Sequence, residues 1–268
     1  MISPRCGFIW QALVAGIGAW AFCFSVTFPA RAAHEIRLAE FSTPILAADA
    51  GRVQNIALAV RKINGTIIRP GESFSFNQTV GPRDAQHGWA PAAELYQGEF
   101  VMGYGGGICQ VSSTLYNAVL LAGLPIAERH HHDRPLEYVA PGRDATVVWN
   151  LLDFRFRNTT GAPVRVVARL LPGEPQRVEV AVTGPAPRTP QQIQIEASDL
   201  RYLPPELVEI VDPTLNPNQR VVADEGAYGL EVSIHRIFRG PAGERRELVS
   251  HDQYPPKPGK VRIGPKTD

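Results

Sequence analysis

Gly105, Gly106 and Gly107 run without a break into Ile108-Cys109-Gln110-Val111-Ser112-Ser113-Thr114-Leu115-Tyr116-Asn117-Ala118, and this junction limits the chain's choices more than any other stretch. Glycine tolerates positive φ and close backbone approach, so three in a row mark a tight, crowded turn. After them Val111, Leu115, Ala118 and Ala122 recur at helical spacing, and Gly123 and Pro125 stop the pattern. The spacing predicts a helix that starts at the glycines and carries Cys109 in its first turn. First-turn amides lack intrahelical partners and the helix dipole is positive there, two effects that favour thiolate over thiol. A nucleotide loop is not indicated: no Gly-x-Gly-x-x-Gly follows a strand in a βαβ unit, and no lysine follows the glycines to hold a phosphate.

Cysteine usage narrows the meaning of that thiol. Residues 1–32 read as an export segment, with Arg5 as its basic start, a mostly apolar run over residues 8–28 and the small-x-small Ala30-Arg31-Ala32 as a cleavage site. The same run is long enough to span a bilayer, so the segment is either a cleaved signal peptide or a retained membrane anchor. Both put the remainder outside the cytoplasm, in the periplasm or cell envelope or secreted. Cys6 and Cys23 fall inside this segment, which leaves Cys109 alone in the exported portion. A lone thiol in a disulfide-favouring compartment is a reactive group, an intermolecular bridge or an inert small hydrophobe. With 27 basic against 26 acidic residues and no basic stripe, nucleic acid is not an expected partner, and membrane contact is expected only through an uncleaved N-terminus.

Downstream, residues 53–63 carry Ile56, Ala57, Ala59, Val60 and Ile63 in a helical stripe closed by Asn64-Gly65. Ser73-Phe74-Ser75-Phe76-Asn77 alternates as a strand, and residues 80–103 read as short strands or loops. Residues 126–132 allow a strand with Ile126, Glu128, His130 and His132 on one face. Residues 164–171 and 177–182 flank Pro172-Gly173-Glu174-Pro175 as a hairpin, and the prolines of residues 184–190 read as a linker. Beyond it, residues 208–211, 220–223, 230–238 and 246–249 read as strands. The element order predicts an α+β domain over residues 33–186, with helices packed on an antiparallel sheet, a linker over 187–203 and a small all-β module over 204–268.

Several ordered motifs resemble the VanW family. They are Gly71-Glu72-Ser73-Phe74-Ser75-Phe76-Asn77, Val80-Gly81-Pro82-Arg83, the glycine–cysteine stretch, Glu128-Arg129-His130-His131-His132, Gly142-Arg143-Asp144-Ala145-Thr146-Val147 and Asp153-Phe154-Arg155-Phe156-Arg157-Asn158. The match covers roughly residues 50–185, with Ser112-Ser113-Thr114 where the family has Ser-Thr-Thr and Asp133 where it has Ser. The family is associated with vancomycin-resistance clusters and the bacterial cell envelope, so the resemblance implies an envelope protein. The C-terminal module is similar to the G5 domain, which implies binding of envelope polysaccharide.

Cys109, then His130 or His132, then Asp144 give the order thiol, imidazole, carboxylate, which resembles papain-like and transglutaminase-like thiol enzymes. In that reading either histidine takes the thiol proton, Asp144 orients it, and amides near residues 108–110 bind an oxyanion. Gly105, Gly106, Gly107, Gln110, Tyr104 and Arg83 are the candidate substrate contacts. The plainer readings stand beside it: Asp144 as a turn former, the histidines as a solvated polar run, Ser112 to Thr114 as hydroxyls back-bonded to the helix. Thiolate and imidazole also suit zinc, but no ligand spacing is recognised, so no metal or cofactor is expected. Two functions follow: a cysteine-dependent enzyme that cleaves or transfers a peptide or amide bond in peptidoglycan, or a non-catalytic envelope-binding protein. The oligomeric state is not encoded in any visible motif.

Overall fold

The computed structural model describes residues 35–46, 49–96, 99–186 and 191–266. The segment read as signal or anchor, and residues 187–190 of the expected linker, lie outside the described residues. Among the described residues no helix is long and apolar enough to cross a membrane.

An antiparallel sheet of four strands underlies the first half, in the order β1 (Glu35–Pro44), β9 (Arg177–Pro185), β8 (Val164–Leu171), β2 (Ile67–Ile68). Alternation sets its faces: Val164 and Val166 of β8, and Val178, Val180 and Val182 of β9, are all buried. Helix α1 (Ala50–Ile63) lies against β8, and helix α3 (Ile108–Leu121) against β1 and β9. Asp49 caps α1 by accepting from the Arg52 N–H at 2.9 Å, and Gly65, at φ +82°, follows its last turn. Ile56, Ile63, Leu115, Phe154 and Phe156 are fully buried in the shared core.

Three smaller assemblies complete the domain. The strands β3 (Ser73–Ser75), β7 (Arg155–Arg157) and β6 (Ile126–Glu128) form a second sheet with β7 central. The hairpin β4 (Pro91–Tyr96) and β5 (Glu99–Tyr104) leads into the glycines. The expected strand through Asn77 stops at Ser75, because the Ser75 hydroxyl accepts from the Gln78 N–H at 3.1 Å and starts the short helix α2 (Phe76–Val80).

The C-terminal module is built from two three-stranded sheets. In one, β13 (Gly229–Gly240) lies between β10 (Gln192–Leu203) and β14 (Gly243–Tyr254). In the other, β15 (Gly259–Ile263) lies between β11 (Leu207–Val211), to which it is parallel, and β12 (Arg220–Asp224). Residues 192–203, expected within the linker, are thus a paired strand.

The expected fold class is corrected by this architecture. The chain is not an α+β protein with helices packed on a sheet in a papain-like or transglutaminase-like arrangement. Strand accounts for 46% against 16% helix and is spread over several sheets. The physical reason is that β10, read as linker, and β4 and β5, read as short strands or loops, satisfy their backbone groups by pairing with neighbours rather than with water.

Candidate functional site

Cys109 is the second residue of α3, and the glycine turn puts it there. Gly105 (φ +101°) and Gly107 (φ +102°) take conformations that L side chains rarely adopt, and a Cβ on Gly106 would lie 2.5 Å from the Ala93 carbonyl oxygen. The turn consumes two of the first amides, Ile108 N–H donating to Gly105 O at 3.0 Å and Gln110 N–H to Gly107 O at 3.1 Å. The Cys109 N–H has no backbone acceptor among the described residues. The thiol is partly exposed and lies 3.6 Å from the Val147 carbonyl.

The polar face of α3 holds the segment that carries the acid. Ser112 donates to the Ala145 carbonyl at 2.6 Å, and Ser113 accepts from the Ala145 N–H at 2.8 Å while donating to the Cys109 carbonyl at 2.7 Å. Asn117 donates to the Arg143 carbonyl at 2.7 Å. Ser113 and Thr114 back-bond to the helix, as hydroxyls in helices do, but Ser112 and Ser113 also fasten residues 143–145 alongside it.

That fastening brings Asp144 to His132. The His132 Nδ1 lies 2.6 Å from Asp144 Oδ2, which also accepts the His132 backbone N–H at 2.7 Å; both residues are buried. With Nδ1 committed to the carboxylate, Nε2 is the ring nitrogen left over, and His132 and Cys109 are close enough to influence each other's charge. Burial alone would depress the imidazole pKa; the bond to Asp144 and the pairing with Cys109 reverse that and hold it at about 9. Burial likewise pushes the Asp144 pKa up, and the bond from His132 with the charge of Arg129 overrides it, down to about 2. The Cys109 thiol is pushed up by burial and drawn below its ordinary value by His132 and by the charge of Arg83. Thiol, imidazole and carboxylate are therefore gathered in one place, in the order Cys109, His132, Asp144.

The other expected residues divide. His130 is turned away, its Nε2 lying 3.1 Å from Glu128, and the expected strand through His132 ends at Glu128. Gln110 is buried scaffold rather than a substrate contact, donating to Thr43 at 3.1 Å and to the Pro44 carbonyl at 2.8 Å. Gly105, Gly106 and Gly107 serve the close approach of backbone and neighbours. Tyr104 is exposed at the end of β5. Arg83 stacks over the Trp149 ring at 5.6 Å, both its terminal nitrogens are buried without a partner, and burial lowers its pKa to about 10.

Sequence reasoning missed Arg129, Tyr138, Asp252 and Tyr254. Tyr138 lies near Ser113 and Cys109, and burial pushes its phenol pKa up, so it stays protonated. Arg129 sits in the histidine motif itself, between Glu128 and His130. Nothing local marked Asp252 or Tyr254.

Fold and site define a mainly β protein carrying a partly exposed thiol backed by a buried imidazole–carboxylate pair. Residues 51–182, which hold Cys109, His132 and Asp144, match the family model described as VanW like protein and belong to the VanW family. The uncharacterized protein YoaR of Bacillus subtilis is 45% identical over 133 residues, covering 50% of this chain and 44% of that one. The vancomycin B-type resistance protein VanW of Enterococcus faecalis is 31% identical over 120 residues, covering 43% and 44%. The chain thus spans less than half the length of either relative. A solved IgA1 protease G5 domain aligns with 31% of this chain and all of its own at 27% identity, with a TM-score of 0.25.

Proposed function

We propose that this chain is an exported cell-envelope enzyme that cleaves or transfers a peptide or amide bond in peptidoglycan through Cys109. The observation that carries the reading is the Asp144–His132 bond of 2.6 Å, with His132 in electrostatic reach of a partly exposed cysteine at a helix start. In the mechanism His132 Nε2 takes the Cys109 proton, and the sulfur attacks the carbonyl carbon. The Cys109 N–H supports the oxyanion, and His132 returns the proton to the leaving amine. Water or a second amine then releases the thioester. The unpartnered Arg83 guanidinium suits a substrate bearing a carboxylate, as stem peptides do. The kinship with a vancomycin-resistance protein and the apolar N-terminal segment favour the envelope as its place of action.

The test compares wild type with Cys109→Ala on purified peptidoglycan and muropeptides by mass spectrometry. Bond changes present with wild type and absent with the variant are expected; identical product profiles would sink the enzyme reading. A second reading, ligand binding without chemistry, is favoured by a cleft of about 420 Å³ along Glu128, His130, His131, Ser250 and Asp252. It predicts equal retention of both proteins on peptidoglycan and no new products.

A further inference from the structure

The carboxylate that orients His132 accepts four hydrogen bonds. Oδ2 takes the backbone N–H and Nδ1–H of His132 at 2.7 and 2.6 Å; Oδ1 takes Arg129 Nη2 at 3.1 Å and the Tyr254 hydroxyl at 2.6 Å. Both bonds on Oδ1 depend on β14, which lies outside the residues matched by the VanW family. Tyr254 donates directly, and its oxygen accepts the Gly142 N–H at 2.7 Å. Asp252 sits two positions earlier on the same strand face and grips Arg129 Nη1 with both oxygens, at 2.6 and 2.7 Å. Arg129 Nε in turn donates to the Asp144 carbonyl at 2.6 Å. Tyr254 is 0% and Asp252 3% exposed, so water does not compete for these bonds.

We propose that β14 completes the reaction site, with Tyr254 and Asp252 as positioning residues for the Asp144–His132 pair. The C-terminal module then acts in the chemistry as well as in any binding. Two effects carry this. The Oδ1 bonds fix the rotation of the Asp144 carboxylate, so that Oδ2 stays on His132. Asp252 also neutralises Arg129, so the three-residue cluster of two carboxylates and one guanidinium keeps one net negative charge toward the imidazole. The other titratable groups around the pair include Cys109 from α3, His131, whose ring packs on Tyr254 at 5.1 Å, Tyr116 beneath Arg129, Arg143 and Tyr138. None of them is a second carboxylate that would replace Asp252.

The inference rests on the thiol-enzyme reading, and the test separates the two. His132 is titrated by NMR in histidine-labelled full-length protein. Cys109 alkylation by iodoacetamide is followed against pH on the Cys109 peptide by mass spectrometry. Tyr254→Phe and Asp252→Asn are each expected to lower the His132 pKa by about one unit, a roughly tenfold loss of imidazolium at a fixed pH above it. Asp252→Glu, which keeps the charge, and Tyr228→Phe, at an exposed tyrosine of the same module, are expected to titrate as wild type. Tyr254→Phe removes one oxygen and keeps the ring, so it decides the matter if Asp252→Asn does not fold. An unchanged His132 midpoint in folded Tyr254→Phe overturns the role of β14, whatever Cys109 does. A wild-type Cys109 that alkylates as a free thiol, with the His132 shifts present, overturns the enzyme reading and leaves β14 as the support of the pair.

Discussion

A thiolate–imidazolium pair is populated only between the pKa values of its two members. Cys109 is drawn below the ordinary thiol value and His132 is held at about 9, so the ion pair reaches up to the His132 value and is lost as His132 deprotonates. Turnover is expected to fall along an alkaline limb near pH 9, read from kcat/KM against pH. His132→Ala should remove that limb, return the alkylation midpoint toward the free value of ~8.5, and slow turnover by roughly 10²–10⁴. The same shifts govern stability. Asp144, depressed to about 2 in the fold, contributes above its unfolded value of ~3.9, and the contribution is lost as pH falls through about 2. His132, raised to about 9, contributes fully below its unfolded ~6.5 and loses that as pH rises through about 9. Both act in full between roughly pH 4 and 6.5, where Tm should plateau. Asp144→Asn should lower the plateau and flatten the acid limb; a variant curve parallel to wild type at low pH would argue against the assignment.

At the scale of elements, α3 does two jobs at once. Its apolar side, with Val111, Leu115 and Ala118, is buried in the core, and its hydroxyl side holds the acid-bearing segment. Ser113→Ala strands the buried Ala145 N–H, a loss of about 1–3 kcal/mol. The measurement is chemical denaturation paired with Cys109 alkylation, and stability should drop while the alkylation midpoint rises, because Asp144 loosens from His132. An unchanged midpoint would mean that residues 143–145 hold their place without the serine. How much of this was legible differs by element. The α3 helix was visible because a glycine stop and a helical period coincide, and the β8–β9 hairpin because two alternating runs flank a proline turn. The choice of His132 over His130 was not visible: pairing ends at Glu128, and the His130 carbonyl instead accepts the Thr146 N–H at 2.7 Å. Strand alternation therefore stops governing which way the histidines point. The strand content was underestimated because β10 is largely exposed and its residues read as polar linker. Tyr254 and Asp252 were invisible for another reason: they meet Asp144 and Arg129 across 110 and 123 positions, and no local window spans that distance.

Across the whole described chain, two buried arginines join the C-terminal module to the VanW domain. Arg129 reaches from the domain to Asp252, and Arg236 reaches from β13 to the C-terminal end of α3, where it donates to the Leu124 carbonyl at 2.8 Å and to Leu120 at 3.4 Å. A helix ends in carbonyls without intrahelical donors and in the negative end of its dipole, so a guanidinium satisfies both there. Its charge is balanced by Glu247 at 3.0 Å on β14, the strand that also carries Asp252 and Tyr254. The end of α3 away from Cys109 and the Asp144 carboxylate are thus anchored to the same sheet, which couples the two halves. Thermal unfolding is expected to be a single transition by calorimetry. Arg236→Ala removes charged hydrogen bonds from buried carbonyls and should cost about 2 kcal/mol. If the coupling runs through this contact, the variant should unfold in two steps, the module before the domain, and the Cys109 alkylation midpoint should rise during the first. A variant that loses stability yet keeps one transition would place the coupling in the remaining contacts, Arg129–Asp252, Asp144–Tyr254 and the packing of Ile195 and Val249 on the first core.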